Sequence, residues 1–153
     1  CARGYSVMLG YWNNEDQTNS TIDAARWIHT EDLATMDKEG YVNIVGRIKD
    51  MIIRGGENIY PGEIEAVAYE LEAVHECVVF GEPDDAMGEE LVMVVYVTPG
   101  RQLSEQDLRD WLGNRLAAYK VPRTIVFSPQ PLPRNASEKL HKLKVKEAFL
   151  ASE

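Results

Sequence analysis

The alternation of apolar and polar positions divides the chain into a head of short runs and a longer stretch in which helical and strand periods take turns. Near the start, Tyr5 to Tyr11 is apolar and aromatic, and Asn13-Asn14-Glu15-Asp16 breaks it. Farther on, Asp37-Lys38-Glu39-Gly40 forms a turn before the run Tyr41 to Val45. Apolar runs about a Gly-bearing turn predict a β-hairpin, so residues 1–48 read as short strands and turns. The apolar pattern continues from Ile48 to Ile53 across Lys49-Asp50, and Arg54-Gly55-Gly56-Glu57-Asn58 then reads as a loop.

The clearest helix opens at Pro61, with Glu63 and Glu65 in its first turn and Ile64, Val67, Ala68 and Leu71 along one face. Cys77 to Gly81 and Leu91 to Val97 are β-rich runs separated by Glu82-Pro83-Asp84-Asp85, which predicts two strands of one sheet. Ser104-Glu105-Gln106-Asp107 is a helix start of the capping-box type, followed at helical spacing by Leu108, Trp111, Leu112 and Leu116. Thr124 to Phe127 reads as a third strand, Pro129 to Pro133 as a stop, and Leu140 to Leu150 as a helix with a basic face. This order predicts an α+β unit of about 100 residues, a small three-stranded sheet with helices. The change of element style places its boundary with the β-rich head at Ile48 to Asp50, giving domains 1–48 and 49–153.

Composition narrows the picture. With 44% hydrophobic and 27% charged residues the chain has ordinary globular composition and can bury a core. No apolar run approaches the roughly 20 residues needed to span a bilayer. A net charge of −9 argues against a nucleic-acid surface. Cys1 and Cys77 are too few for a disulfide framework and lack the paired spacing of a zinc site, so no metal ligands are assigned. Cys77, inside Cys77-Val78-Val79-Phe80, reads as a buried free thiol. Five basic residues (Arg134, Lys139, Lys142, Lys144, Lys146) stand against the single acid Glu138 between positions 134 and 146, and read mostly as a solvated helix face able to attract an anion. The chain opens on Cys1 and runs directly into Tyr5-Ser6-Val7-Met8-Leu9, which reads as part of something longer.

Three features bear on chemistry: a carboxylate beside a turn in Thr30-Glu31-Asp32, three charges in Gly46-Arg47-Ile48-Lys49-Asp50, and the Gly55-Gly56 pair, which permits close backbone approach or a tight turn. No Gly-x-Ser-x-Gly elbow and no Gly-x-x-x-x-Gly-Lys phosphate loop is present.

Taken in order, the segments resemble the adenylate-forming superfamily, which includes acyl- and aryl-CoA synthetases, luciferase and peptide-synthetase adenylation domains. They are in particular similar to the carboxyl-terminal portion of medium- and long-chain fatty-acyl-CoA synthetases. The resemblance is carried by Gly4 to Trp12, by Trp27-Ile28-His29-Thr30-Glu31-Asp32, by the continuous stretch Gly46 to Glu65, and by Leu132-Pro133-Arg134-Asn135-Ala136-Ser137-Glu138-Lys139. It implies that residues 1–48 end a large amino-terminal domain and residues 49–153 form a mobile lid. The implied reaction joins a carboxylic acid, expected to be a fatty acid, to ATP as an acyl-adenylate with release of pyrophosphate, and then to coenzyme A with release of AMP. ATP and its Mg would be bound mainly by the missing amino-terminal part, and the fragment alone would be inactive. The implied location is cytoplasmic.

The resemblance also implies roles for individual residues. Asp32 would accept the ribose hydroxyls and Arg47 would contact the nucleotide, where a fixed cation suits an anion. Lys139 would be the catalytic lysine meeting the reacting carboxylate and the α-phosphate. Lys49 would be the hinge. Gly55, Gly56 and Met87 would border the channel for the pantetheine arm of coenzyme A. Two positions depart from the family pattern, Glu31 and Glu138, each where glycine is usual. If either adopts positive φ its side chain costs about 1 kcal/mol or more, and Glu138 brings negative charge beside Lys139, which is expected to slow adenylation. Two other readings stay open: an adenylation domain that loads a carrier protein, and a non-catalytic interaction module, which Glu31 and Glu138 favour.

Overall fold

Two apolar stretches of the sequence become the two central strands. In the computed structural model, which describes residues 1–151, β5 (Val74–Asp84) pairs antiparallel with β6 (Gly88–Val97), in register from Val74 opposite Val97 to Asp84 opposite Gly88. Successive side chains point to opposite faces of a strand, and here both faces are buried. Cys77, Val79, Met93 and Val95 lie in one core, and Val78, Phe80, Val92 and Val94 in the other. That is why both runs are apolar without interruption.

The rest of the unit from Asp50 onward covers those two faces or extends the sheet. Helices α2 (Pro61–Tyr69) and α3 (Glu105–Gly113) bury Ile64, Ala68, Leu108 and Leu112 on the first face, and the Trp111 indole N–H donates to the Val67 carbonyl at 2.9 Å. Pro61 stands at the start of α2, where its missing N–H costs nothing. The Ser104 hydroxyl caps α3 by accepting from the Asp107 N–H at 3.1 Å and donates to the Asp107 carboxylate at 2.5 Å, so the predicted helix start holds with the N-cap half of the capping box. Strand β7 (Thr124–Ser128) runs parallel to β6. Helix α4 (Lys142–Leu150) closes the second face with Val145, and Phe149 meets Phe80 edge to face. It starts two residues later than Leu140 because His141 acts as N-cap, its ring nitrogen accepting from the Lys144 N–H.

The α+β class is as expected, but the sheet has five strands where the sequence predicted three. The segment read as a loop folds as a hairpin of β3 (Ile52–Arg54) and β4 (Glu57–Ile59), joined to β6 at Arg54 opposite Gly88. Ile52 and Ile59 face the core, and the two-residue turn Gly55-Gly56 has φ of 57° and 86°, positive at both positions as a type I′ turn requires. Arg54 forks onto the buried Glu90 carboxylate at 2.7 and 2.9 Å, and this hydrogen bond holds Glu90 below the usual carboxylate range. Breaking such a buried pair costs about 3–5 kcal/mol.

The unit Cys1–Lys49 contains α1 (Glu15–Thr21) and a hairpin of β1 (Asp32–Met36) and β2 (Val42–Arg47). The turn at Asp37 to Gly40 is present, with the Asp37 carboxylate accepting from the Tyr41 N–H at 2.8 Å. The run Tyr5 to Tyr11 forms turns and bends in place of a strand. Asn13-Asn14-Glu15-Asp16, read as a breaker, starts α1: Asn14 caps it by accepting from the Gln17 N–H at 3.0 Å, and Glu15 and Asp16 sit in the first turn.

Cys77 is 1% exposed, and burial pushes its thiol up to about 12, whereas Cys1 is exposed. Brief iodoacetamide treatment of the native protein followed by peptide mapping should therefore modify Cys1 and spare Cys77 until denaturant is added. Native alkylation of Cys77 at the rate of Cys1 would contradict this packing.

Candidate functional site

In the first unit the hairpin register sets Asp32 directly opposite Arg47. The Arg47 Nε lies 3.0 Å from an Asp32 oxygen, and the guanidinium is largely exposed. An exposed pair of this kind is worth at most about 1 kcal/mol, so both groups stay available to a ligand. Two clefts within this unit flank the segment. One of about 370 Å³ is lined by Asp23, His29, Thr30, Glu31 and Asp32, and one of about 310 Å³ by Tyr11, His29, Glu31, Arg47 and Lys49. Asp23 and His29 were not singled out in the sequence. The His29 Nε2 lies 3.5 Å from an Asp23 carboxylate oxygen, and a hydrogen bond from the Trp27 N–H holds the Asp23 carboxyl below the usual range.

Glu31 occupies left-handed backbone with φ of 60°. Its carbonyl accepts from the Ile48 N–H at 2.9 Å, and its carboxylate meets the Lys49 ammonium at 2.8 Å. Lys49 lies in the 3-10 turn Ile48–Asp50, and the two compact units divide immediately after it.

In the second unit Gly55 and Met87 come together. The Gly55 N–H donates to the Met87 carbonyl at 2.8 Å, and the Met87 methyl lies 2.6 Å from where a Cβ on residue 55 would stand. The Asp84 carboxylate fixes Met87 by accepting from its N–H at 2.8 Å and from that of Ala86 at 2.9 Å. The space beside Gly55 is thus taken by Met87, while that beside Gly56 is open. Turn geometry and Met87 packing account for Gly55 without a ligand.

Lys139 lies at the end of a closed turn. Asn135 organises it: its N–H donates to the Lys139 carbonyl at 2.8 Å, and its side-chain oxygen accepts from the N–H groups of Ser137 at 2.9 Å and Lys139 at 3.0 Å. Glu138, between them, has φ of 60°. The Lys139 side chain is exposed, and among the described residues its ammonium forms no ion pair, with Glu138 or any other acid. The basic cluster is not mainly a solvated face. Arg134 reaches the buried Glu76, Lys142 pairs with Glu65 at 2.8 Å, and Lys146 donates to the Gly81 carbonyl at 2.6 Å. Glu76 was passed over because the strand was read as starting at Cys77. A lone acid beside an apolar run was the available signal, since buried charges are normally paired.

Residues 63–139 match the AMP-binding enzyme C-terminal domain family. The chain is 43% identical over 147 residues to the Bacillus subtilis protein YngI, named a candidate acyl-CoA synthetase, with 96% of this chain and 27% of that protein aligned. It is 42% identical over 147 residues to the mitochondrial medium-chain acyl-CoA ligase ACSF2 of Rattus norvegicus, covering 96% of this chain and 24% of that one. The chain thus spans about a quarter of the length of these curated relatives. Among solved structures, o-succinylbenzoate CoA synthetase of Bacillus subtilis, in complex with its acyl-adenylate intermediate, superposes with a TM-score of 0.85 at 36% identity, over 94% of this chain and 29% of that one. ATP-bound MatB of Rhodopseudomonas palustris gives 0.82 at 35% identity, over 92% and 28%.

A left-handed backbone at Glu138 carries a Cβ penalty that glycine removes, partly offset by glycine's greater freedom in the unfolded chain. Glu138→Gly should raise the unfolding free energy by about 0.5–1 kcal/mol in denaturant titration, and Glu138→Ala, which keeps the Cβ, should give no such gain. Equal effects of the two substitutions would show that backbone strain is not the cause.

Proposed function

Because the chain belongs to the AMP-binding enzyme C-terminal domain family, we propose that it is the carboxyl-terminal part of an ATP-dependent acyl-CoA synthetase acting on a fatty acid. The family and the names of the relatives support this reading. One feature of the fold carries it into chemistry: Lys139 offers an exposed ammonium that forms no ion pair among the described residues, on a turn closed by Asn135, while its neighbours Arg134, Lys142 and Lys146 are committed to the fold.

In the proposed reaction a carboxylate oxygen attacks the α-phosphorus of ATP, the bond to the bridging oxygen breaks, and pyrophosphate leaves. The Lys139 ammonium offsets the charge that builds on the attacking and phosphoryl oxygens. The thiolate of coenzyme A then attacks the acyl carbonyl and AMP leaves. Asp32 accepts hydrogen bonds from the ribose hydroxyls, and Arg47, paired with it at 3.0 Å, orients that carboxylate and faces the nucleotide. Lys49 is proposed as the hinge, since the division between units falls after it. Gly56, beside open space, is a better candidate than Gly55 to border the pantetheine arm. The Mg accompanying ATP would be bound mainly by the missing amino-terminal part, and no step here runs through it.

Two glutamates in left-handed backbone, at positions where the resembled family has glycine, favour a second reading: a module that keeps the fold without catalysis. The two readings are separated in the full-length protein. Under the proposed function Lys139→Ala lowers acyl-adenylate formation by about 10²–10³-fold, the scale for losing one preorganised donor, and leaves thioester formation from supplied acyl-adenylate intact. An enzyme in which Lys139→Ala adenylates at the wild-type rate would remove Lys139 from the chemistry, and a wild type that forms no adenylate would favour the module.

A further inference from the structure

The turn that carries Lys139 is anchored to the sheet by a buried carboxylate. Glu76 on β5 is 4% exposed. One of its oxygens accepts from the Leu132 N–H at 2.7 Å, and the other accepts from Arg134. The second terminal nitrogen of Arg134 donates to the Glu138 carbonyl at 2.6 Å. Glu138 is the residue in left-handed backbone immediately before Lys139, and its N–H is tied to the Asn135 carbonyl at 3.0 Å. A continuous set of contacts therefore leads from the core strand through one guanidinium to the peptide that sets the direction of Lys139.

We propose that Glu76 and Arg134 are positioning residues for Lys139, holding its turn in the one conformation from which the ammonium can meet the reacting groups. This rests on the reading of Lys139 given above. A strained residue persists only where its surroundings over-determine it, and the Arg134 contact to the Glu138 carbonyl supplies that determination. The fold does not by itself require an ion pair at this place, because well-packed apolar residues usually stabilise a core as well as a buried pair does. What the pair adds is direction. A planar guanidinium with two donors in a fixed fork can join the carboxylate and the carbonyl at once, which a single ammonium in its place cannot do with the same geometry.

The test separates the two half-reactions in the full-length enzyme, using whichever straight-chain acid from butyrate to palmitate the wild type activates fastest. Acyl-adenylate formation is followed by pyrophosphate exchange, and thioester formation is followed from synthetic acyl-adenylate and coenzyme A. Glu76→Gln and Arg134→Met should each lower the kcat of adenylation about ten-fold or more, the scale on which small misplacement of a catalytic group acts, with the KM for ATP and the thioester half-reaction unchanged. Arg134→Lys, which keeps the charge and loses the fork, should fall between. Arg134→Met leaves the buried Glu76 carboxylate without its cation and lowers stability, so Arg134→Lys, which keeps a charge beside Glu76, carries the test if the methionine variant unfolds. Equal losses in both half-reactions would mark the pair as structural, and no loss in either would overturn the proposal while leaving Lys139 in place. A Lys139→Ala enzyme that still adenylates at the wild-type rate would overturn this inference together with the reading it rests on.

Discussion

Strand β6 is the constraint on which the second unit depends. It is paired with β5 along its length on one side, and on the other it accepts the β3–β4 hairpin at its start and β7 along its middle. Leu91 through Val95 are buried on both faces of the sheet, so helices α2 and α3 can be held on one side and α4 on the other. At about 1.5–3 kcal/mol for each fully buried apolar side chain, these five positions and their partners on β5 outweigh any surface ion pair in the molecule. Both glycine-bearing turns that meet at Met87 are consequences of this strand. Gly88 starts it, and Arg54 joins it across the sheet by reaching Glu90.

The candidate catalytic turn is built differently. It lies outside the strands, is made mostly of polar residues, and buries little apolar surface. Its order comes from directional contacts: Asn135 closes it, and Arg134 and Glu76 fasten it to β5. Such contacts are costly to place in a core and weak on a surface, but they specify direction better than apolar packing does. Left-handed backbone at Glu138 adds local strain that the same contacts hold in place. Glu31 shows a related arrangement in the first unit, where its left-handed backbone puts its carboxylate against Lys49.

Most of the fold was legible where one physical signal dominated. Uninterrupted apolar runs gave β5, β6 and β7, Pro61 and the Ser104 cap gave two helix starts, and the Asp37 to Gly40 turn was legible with the strand after it, while its partner strand Asp32–Met36 was not read. The errors occurred where two signals compete. Asn13 to Asp16 is polar enough to resemble a break, yet the same side chains are helix caps, and only backbone geometry decides between them. Gly55-Gly56 resembled a loop because the strands around it are three residues each, too short to show alternation. Of the site, the positive φ at Glu31 and Glu138 could be anticipated from the glycines of the resembled family. The contacts of Arg134, Lys142 and Lys146 could not, because they join residues far apart in sequence, and a run of basic side chains carries no mark of which members are committed to buried partners.

The central claim is that the sheet, through Glu76 and Arg134, serves the chemistry of Lys139. It is tested most directly by a double-mutant cycle on the adenylation kcat of the full-length enzyme, comparing Glu76→Gln alone, Lys139→Ala alone and the two combined. If Glu76 acts through Lys139, its substitution costs nothing further once Lys139 is gone, and the cycle is strongly non-additive. Losses that simply multiply would show that Glu76 and Lys139 act independently, and would contradict the account.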